Sequence, residues 1–217
     1  MSWPHARHGP LWTLVEPRLP PAELAHDRFH IRRVHAWAVR LAPEAGADPD
    51  LAGAAALVHD LVFVPKNSAE RSEGGERSAA AAPLVLGEAA YIGGEIAAIV
   101  DAVRTSSWSR GLAPSGPLGA VLQDADRLDA IGALGLMRNL ACSQHMAKPS
   151  LGGFYHPEDP LAASGRPLDD KIWATDHVFA KLLKLAAGMH TVTARVEAQR
   201  RHSFLLAWVA ELELELP

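Results

Sequence analysis

Residues 50–60, DLAGAAALVHD, decide how this chain folds. Asp48 suits an N-cap and Pro49 the first helical position, so the spacing predicts a helix over about 49–60. That helix is small and apolar all round, and a helix without a polar face is a buried one. The stretch therefore predicts the central element of an all-α fold. It ends on His59-Asp60, delivering two polar groups to the interior. Buried polar groups need partners, and a metal ion is one.

The flanking segments read outward from this helix. After Pro21, AELAHDRFHIRRVHAWAVRLA carries an apolar stripe through Ile31, Val34, Trp37, Ala38 and Leu41 to about Ala42. His30 extends the stripe by one turn, whereas His35 points away from it. Residues 61–76, LVFVPKNSAERSEGGE, read as a long polar loop. Helices follow over 77–86 and 93–105, and Pro117 opens another over 117–140. In that helix Leu118, Val121, Leu122, Ala125, Leu128 and Gly132 make the stripe. Asp129 falls inside it, Asp126 on its flank, and Arg127 outward. A second loop spans 148–170, and helices over 171–187 and 190–214 finish the chain. Residues 1–20, with Pro4, Pro10, Pro17 and Pro20, read as an irregular N-terminal arm. Residues 21–217 read as one helical-bundle domain, its core over 21–145 and a C-terminal helical extension over 146–217.

Composition narrows the function classes. At 217 residues, 48% hydrophobic and 21% charged, the chain suits one globular domain. A net charge of -4 argues against electrostatic binding to a nucleic-acid duplex. The single cysteine, Cys142, has no intrachain partner, which fits a reducing compartment. No signal-peptide h-region and no run long enough for a membrane span is visible. The expectation is a cytoplasmic protein.

Two imidazoles and two carboxylates from three helices, His30, His59, Asp60 and Asp126, suit one divalent cation. His59 and Asp60 diverge by about 100° on an ideal helix, so the ion would sit in the wedge between them. Such a set leaves coordination positions open, and a divalent ion there activates a water for attack. Asp60 or a nearby carboxylate can orient that water or take its proton. Asp129, one turn from Asp126, is a candidate for fixing a ligand. Mn, Fe, Mg, Co, Ni and Zn all accept such donors. A competing enzymatic reading takes His26 and His30 at i, i+4 in HDRFH as zinc ligands, like HExxH with a shorter acid. It leaves VHDL and QDADRLD unused.

The pattern His30, His59-Asp60, Asp126 resembles the HD-domain superfamily of metal-dependent phosphohydrolases. It is most similar to a small bacterial subgroup with PKNxxxRS and QDADRLD motifs. The blocks that carry the resemblance are HDRFHIRRVH (26–35), ALVHDLVFVPKNSAERS (56–72), VLQDADRLDAIGALGLMR (121–138) and LDDKIWATDHVFAKLLKL (168–185). The resemblance implies an all-helical fold and metal ligation by His30, His59, Asp60 and Asp126. It also implies hydrolysis of a phosphate ester or anhydride in a small phosphorylated metabolite, often a nucleotide. In that light PKNSAERS looks like a phosphate clamp, with Lys66 as point charge and Arg71 as bidentate fork. Asn67, Ser68 and Ser72 add neutral donors, and Arg127, Lys148 and Lys181 are weaker candidates. The subgroup's HSFS is SSWS here, so Ser106 stands where a histidine is expected and a second metal is in question. The loop also continues as Glu73-Gly74-Gly75, where the subgroup has Ala and Ser. A non-catalytic HD scaffold that binds a nucleotide or a partner is the alternative. Asp176 and His177 read as structural. The terminal SFLLAWVAELELEL reads as a buried helix, with a homodimer face as the other option.

Overall fold

The computed structural model describes residues 3–21, 23–65, 68–146 and 152–216, the side chains of Arg71, His145 and Met146 excepted. The fold is all-α; among the described residues the only extended pairing is a single bridge between Gly153 and Trp173. The chain divides into two compact units. One comprises Met1–Ala22 with His26–Arg127, the other Glu23–Ala25 with Leu128–Pro217.

The first unit is built around the predicted central helix. Its helices are α1 (His8–Val15), α2 (Arg28–Ala45), α3 (Pro49–Val58), α4 (Gly74–Glu88), α5 (Gly93–Arg104) and most of α6 (Gly116–Asp129). Asp48 caps α3 through the amide of Asp50 at 2.8 Å, with Pro49 next to it. Every residue from Ala52 to Val58 is buried. The small side chains let α1, α2, α4 and α5 all pack on α3. Fully burying Leu57 and Val58 contributes about 1.5–3 kcal/mol each. The α2 stripe is buried as expected at Ile31, Val34, Ala38 and Leu41. α2 ends at Gly46, whose φ of 71° lets its amide reach back to Ala42 and Pro43. The short turn to Asp48 then folds α3 back along α2, bringing the start of α2 level with the end of α3.

The arm over 1–20 is not irregular. His8–Val15 forms α1, because Leu11, Trp12 and Val15 bury completely or nearly so against α3 and α4. Arg7 anchors it, pairing with Asp50 at 2.5 Å and Glu95 at 2.8 Å. His35 is likewise not on an outer face. It is 4% exposed, and its Nε2 lies 2.8 Å from Nδ1 of His8, a partner that no pattern within α2 announces.

The second unit holds α7 (Gly132–Met146), α8 (Ala174–His177), a π-helical stretch (Val178–Leu182), α9 (Leu183–Leu185) and α10 (Val192–Glu215). α10 packs on α7. The single helix expected over 117–140 is two helices. Gly132, at φ 80°, takes the left-handed conformation between them while the apolar stripe runs on, which hides the break from periodicity. The helix expected over 171–187 is also interrupted, by the π stretch. Ahead of it the loop is clasped by Arg166, which holds the buried Asp176 at 2.7 and 2.6 Å and Asp159 at 3.3 Å. Asp176 is structural, as expected.

Candidate metal centre

His30 lies in the first turn of α2, three residues after the cap Asp27, whose carboxylate accepts the amides of Phe29 (3.0 Å) and His30 (2.8 Å). His59 is the C-cap of α3 and Asp60 follows it. α6 supplies Asp126. The antiparallel turn between α2 and α3 is what brings His30 level with His59-Asp60.

The four side chains converge. His30 Nε2 is 3.6 Å from Asp60 Oδ2 and 3.7 Å from Asp126 Oδ1. His59 Nε2 is 3.4 Å from Asp60 Oδ2 and 3.9 Å from Asp126 Oδ1. Two ligands bonded at about 2.1 Å to one ion, at right-angled to tetrahedral angles, stand about 3.0–3.5 Å apart. The spacing is thus near that of ligands around a cation and long for direct hydrogen bonds. The ring centroids of His30 and His59 are 5.3 Å apart and inclined at 69°, so neither stacks on the other.

The residues fit a metal on a second ground. Nδ1 of His59 is 2.8 Å from the Ala56 carbonyl, to which Nδ1–H donates. That bond fixes the tautomer and leaves Nε2 as a bare lone pair. This Nε2 is buried without a hydrogen-bond partner. A buried acceptor aimed into a cluster of two acids is costly unless a cation or a proton meets it. His30, His59 and Asp60 together form a set able to hold a metal ion.

The electrostatics agree. Burial raises the carboxyl of Asp60, but the field of His59, the pairing with His30 and the nearby His26 outweigh it. Asp60 is held well below the ordinary carboxylate range. It is an anionic, acceptor-only group at neutral pH. Both imidazoles are buried, at 0% and 3% side-chain exposure, whereas Asp60 and Asp126 stay about a third open at 32% and 31%. The centre opens on its carboxylate side.

A profile of the HD domain family matches residues 29–131, a span that contains all four converging residues. The Bacillus subtilis (strain 168) protein YpgQ is 34% identical to this chain over 212 residues, covering 94% of this chain and 91% of YpgQ. The chain belongs to the HD-domain superfamily. Among solved structures, that of YpgQ in complex with ADP superposes with a TM-score of 0.69 at 31% identity, covering 97% of this chain and 98% of the other. An HD-superfamily hydrolase from Bacillus thuringiensis gives 0.69 at 28% identity, covering 96% of each chain.

The HD dipeptide and its two remote partners are thus brought together, and other expected groups are placed elsewhere. Asp129 is buried in the second unit, with its carboxylate 3.2 Å from Arg138. Lys66, Asn67 and Lys148 lie outside the described residues. Arg71 opens a 3-10 turn, Arg71–Glu73, and its side chain is likewise outside them. The loop after the HD pair is shorter than expected, because α4 starts at Gly74; the Gly74-Gly75 pair is helical, not loop. Arg127 does not point outward. It is half-buried, with Nη2 2.5 Å from Gln123 Oε1, while Gln123 Nε2 donates to Thr105 and Leu112 carbonyls. Ser106 is buried and its hydroxyl donates to Val103 at 2.9 Å. His26 is half-buried with its ring centroid 5.9 Å from that of His30, a neighbour of the centre that the i, i+4 spacing allows. Asp27, the acid that the HDxxH reading needs as a base, is taken up by capping α2.

Proposed function

We propose that this protein is a metal-dependent phosphohydrolase that cleaves a phosphate ester or anhydride in a small phosphorylated metabolite, with a nucleotide as the substrate class. The observation that carries this reading is the convergence of His30, His59, Asp60 and Asp126, with the lone pair of His59 Nε2 left unmet inside it. The ADP bound in the YpgQ structure supports the nucleotide assignment.

His30, His59, Asp60 and Asp126 hold the divalent ion in this reading. When bound, the ion supplies Lewis-acid polarisation of a phosphoryl oxygen and a water acidic enough to attack near neutral pH. The protein's own contribution is geometric. Ala56 holds the imidazole of His59 in one tautomer, and Asp27 pins the backbone amide of His30. Asp60, ionised and about a third open, orients the attacking water and takes its proton. Lys66 and Arg71 neutralise the phosphoryl oxygens as negative charge shifts to the leaving group. Asp129 acts as a positioning residue through the helix turn that it shares with Asp126. In this reading the metal is drawn from Mn, Fe, Mg, Co, Ni or Zn and the protein works in the cytoplasm. No helix among the described residues is long and apolar enough to cross a membrane.

The test is metal analysis of freshly purified protein, followed by a panel of nucleoside mono-, di- and triphosphates with that metal restored. Release of phosphate or pyrophosphate that a chelator abolishes supports the reading. Full activity after chelation, or in Asp60→Ala, overturns it. A second reading, an HD scaffold that binds nucleotide without turnover, is favoured by Ser106, whose hydroxyl is committed to Val103 where the subgroup carries an imidazole. Nucleotide binding with no hydrolysis under any of these metals selects it.

A further inference from the structure

We propose that Arg127 binds a phosphoryl oxygen of the substrate beside the HD centre, aimed at it by Gln123. The assignment rests on the reading of that centre as a phosphohydrolase site and adds a contact to it from α6. Arg127 directly follows Asp126, so on an ideal helix their side chains leave α6 about 100° apart. Gln123 lies one turn before Arg127, at the i, i+4 spacing where helix side chains meet. It is 1% exposed. Its Nε2 donates to the carbonyls of Thr105 (2.7 Å) and Leu112 (3.1 Å), which spends both amide hydrogens. Its Oε1 is thereby turned the other way, and accepts Nη2 of Arg127 at 2.5 Å.

Contacts within the first unit lead from the HD pair to this guanidinium. The amide of Val62, two residues after Asp60, donates to Ser78 Oγ of α4 at 3.1 Å. The turn Arg71–Glu73 runs into the start of α4. That start lies against the end of α5: a Cβ on Gly75 would stand 3.4 Å from the Val103 carbonyl oxygen and 3.9 Å from Ser106 Oγ. Thr105, between those two residues, is where Gln123 is anchored. Asp126, beside Arg127, then returns to His30 and His59 at 3.7 and 3.9 Å. Arg127 thus stands on a circuit that begins and ends at the HD centre, and the turn that carries Arg71 lies on the same circuit.

The surroundings of Arg127 suit an anion that arrives from outside. Gln123 is neutral, so it aims the guanidinium without cancelling its charge. Burial works against that charge more than the carboxylates of Asp124 and Asp126 favour it. The protein therefore keeps a cation there at a cost to its own stability, which a phosphate offsets. A guanidinium also offers a planar fork that matches two oxygens of one phosphoryl group.

Titration calorimetry with αβ-methylene ADP, whose two phosphates are joined through a carbon that resists cleavage, tests this on the full chain loaded with the metal found in it. Arg127→Met should weaken binding by about tenfold or more and leave metal content at the wild-type value. Arg127→Lys keeps the charge without the fork and should fall between the two. Arg200→Met removes the same charge from a side chain 70% exposed on α10, and should bind as the wild type does. Circular dichroism checks that each variant is folded. Equal affinity in Arg127→Met and wild type overturns the proposal, and leaves the phosphohydrolase reading standing where the nucleotide panel shows hydrolysis. If Arg127→Met does not fold, an unchanged affinity in Arg127→Lys overturns it equally. Loss of metal from folded Arg127→Met or Arg127→Lys also overturns it, because Arg127 then serves Asp126 and not the phosphate. So does a metal-loaded wild type that fails to bind the analogue at about 1 mM. Weakened binding in Arg127→Met, in a protein that hydrolyses no nucleotide, upholds the contact and sinks the phosphohydrolase reading alone.

Discussion

Gly53 and His8 occupy one space. A Cβ at position 53 would stand 2.8 Å from Nε2 of His8 and 2.9 Å from Nε2 of His35. The backbone of α3 therefore meets the imidazole of α1 with nothing between them. Gly53→Ala should destabilise the first unit by about 1–3 kcal/mol, the usual cost of overpacking a filled core. It should also release α1. Thermal melts should show the lowered midpoint, and hydrogen exchange should show faster amides over His8–Val15. An unshifted midpoint would mean that the two rings move aside freely.

The same two histidines give the fold an acid-sensitive joint. His8 Nε2–H donates to Asp50 (2.9 Å), which leaves His8 Nδ1 to accept from His35 Nε2–H at 2.8 Å; one chain of neutral rings satisfies every contact. Burial, then the neighbouring His8, His5 and Arg32, push His35 down to about 3, and burial lowers His8 as well. In the unfolded chain each titrates near its ordinary value of about 6.5. Above that pH both states are neutral and the stabilisation is complete. As pH falls from about 6.5 toward 3 the unfolded chain takes up protons first, and stability is lost at up to about 1.4 kcal/mol per pH unit per group. Urea melts at pH 7, 6 and 5 should show this decline, and His35→Gln should flatten it. An equal slope in the variant would assign the acid sensitivity elsewhere.

At the HD centre, ligand loss and fold loss should separate. His59→Ala and Asp60→Ala each remove one donor from a set whose remaining members sit on intact helices. Bound metal should fall from about one ion per chain to a small fraction, and hydrolysis should drop by more than about 100-fold. The helical signal should persist. Ala56 contributes only its carbonyl, so Ala56→Ser should leave metal content unchanged. Metal analysis alongside circular dichroism checks all three variants.

The clasp in the second unit should behave in the opposite way, as structure without chemistry. Asp176 is fully buried and accepts both Arg166 and the amide of Asp169, at 2.7 Å. Asp176→Ala leaves the Arg166 guanidinium partly buried with half its anionic partners gone. A loss of about 3 kcal/mol is the expected cost of breaking such a pair from one side. Chemical denaturation measures it, and metal content should not change.

What could be read in advance followed periodicity. His30 and Asp126 are legible because each sits at a fixed offset from an apolar stripe, which tells which way a helix faces; His59 and Asp60 are legible because they close a helix that is apolar all round. The capping of α3 by Asp48-Pro49 was legible for a similar reason, since it depends on neighbours in sequence. Contacts between remote segments left no such trace. His8 lay in a proline-rich segment without a period, so its bond to His35, and with it the burial of His35, was invisible. The stripe ran unbroken across Gly132, so the turn there was hidden by the very pattern used to find helices. Arg166 and Asp176 meet across a loop whose spacing obeys no rule.

Sealed imidazoles and open acids make the centre one-sided. Whatever exchanges there, ion, water or phosphoryl oxygen, must come and go past Asp60 and Asp126, because His30 and His59 close the far wall. A guest anion then enters against two negative groups, and only a resident cation reverses the sign of that doorway. On the proposed function, metal loading and anion capture would therefore be ordered, with the ion first.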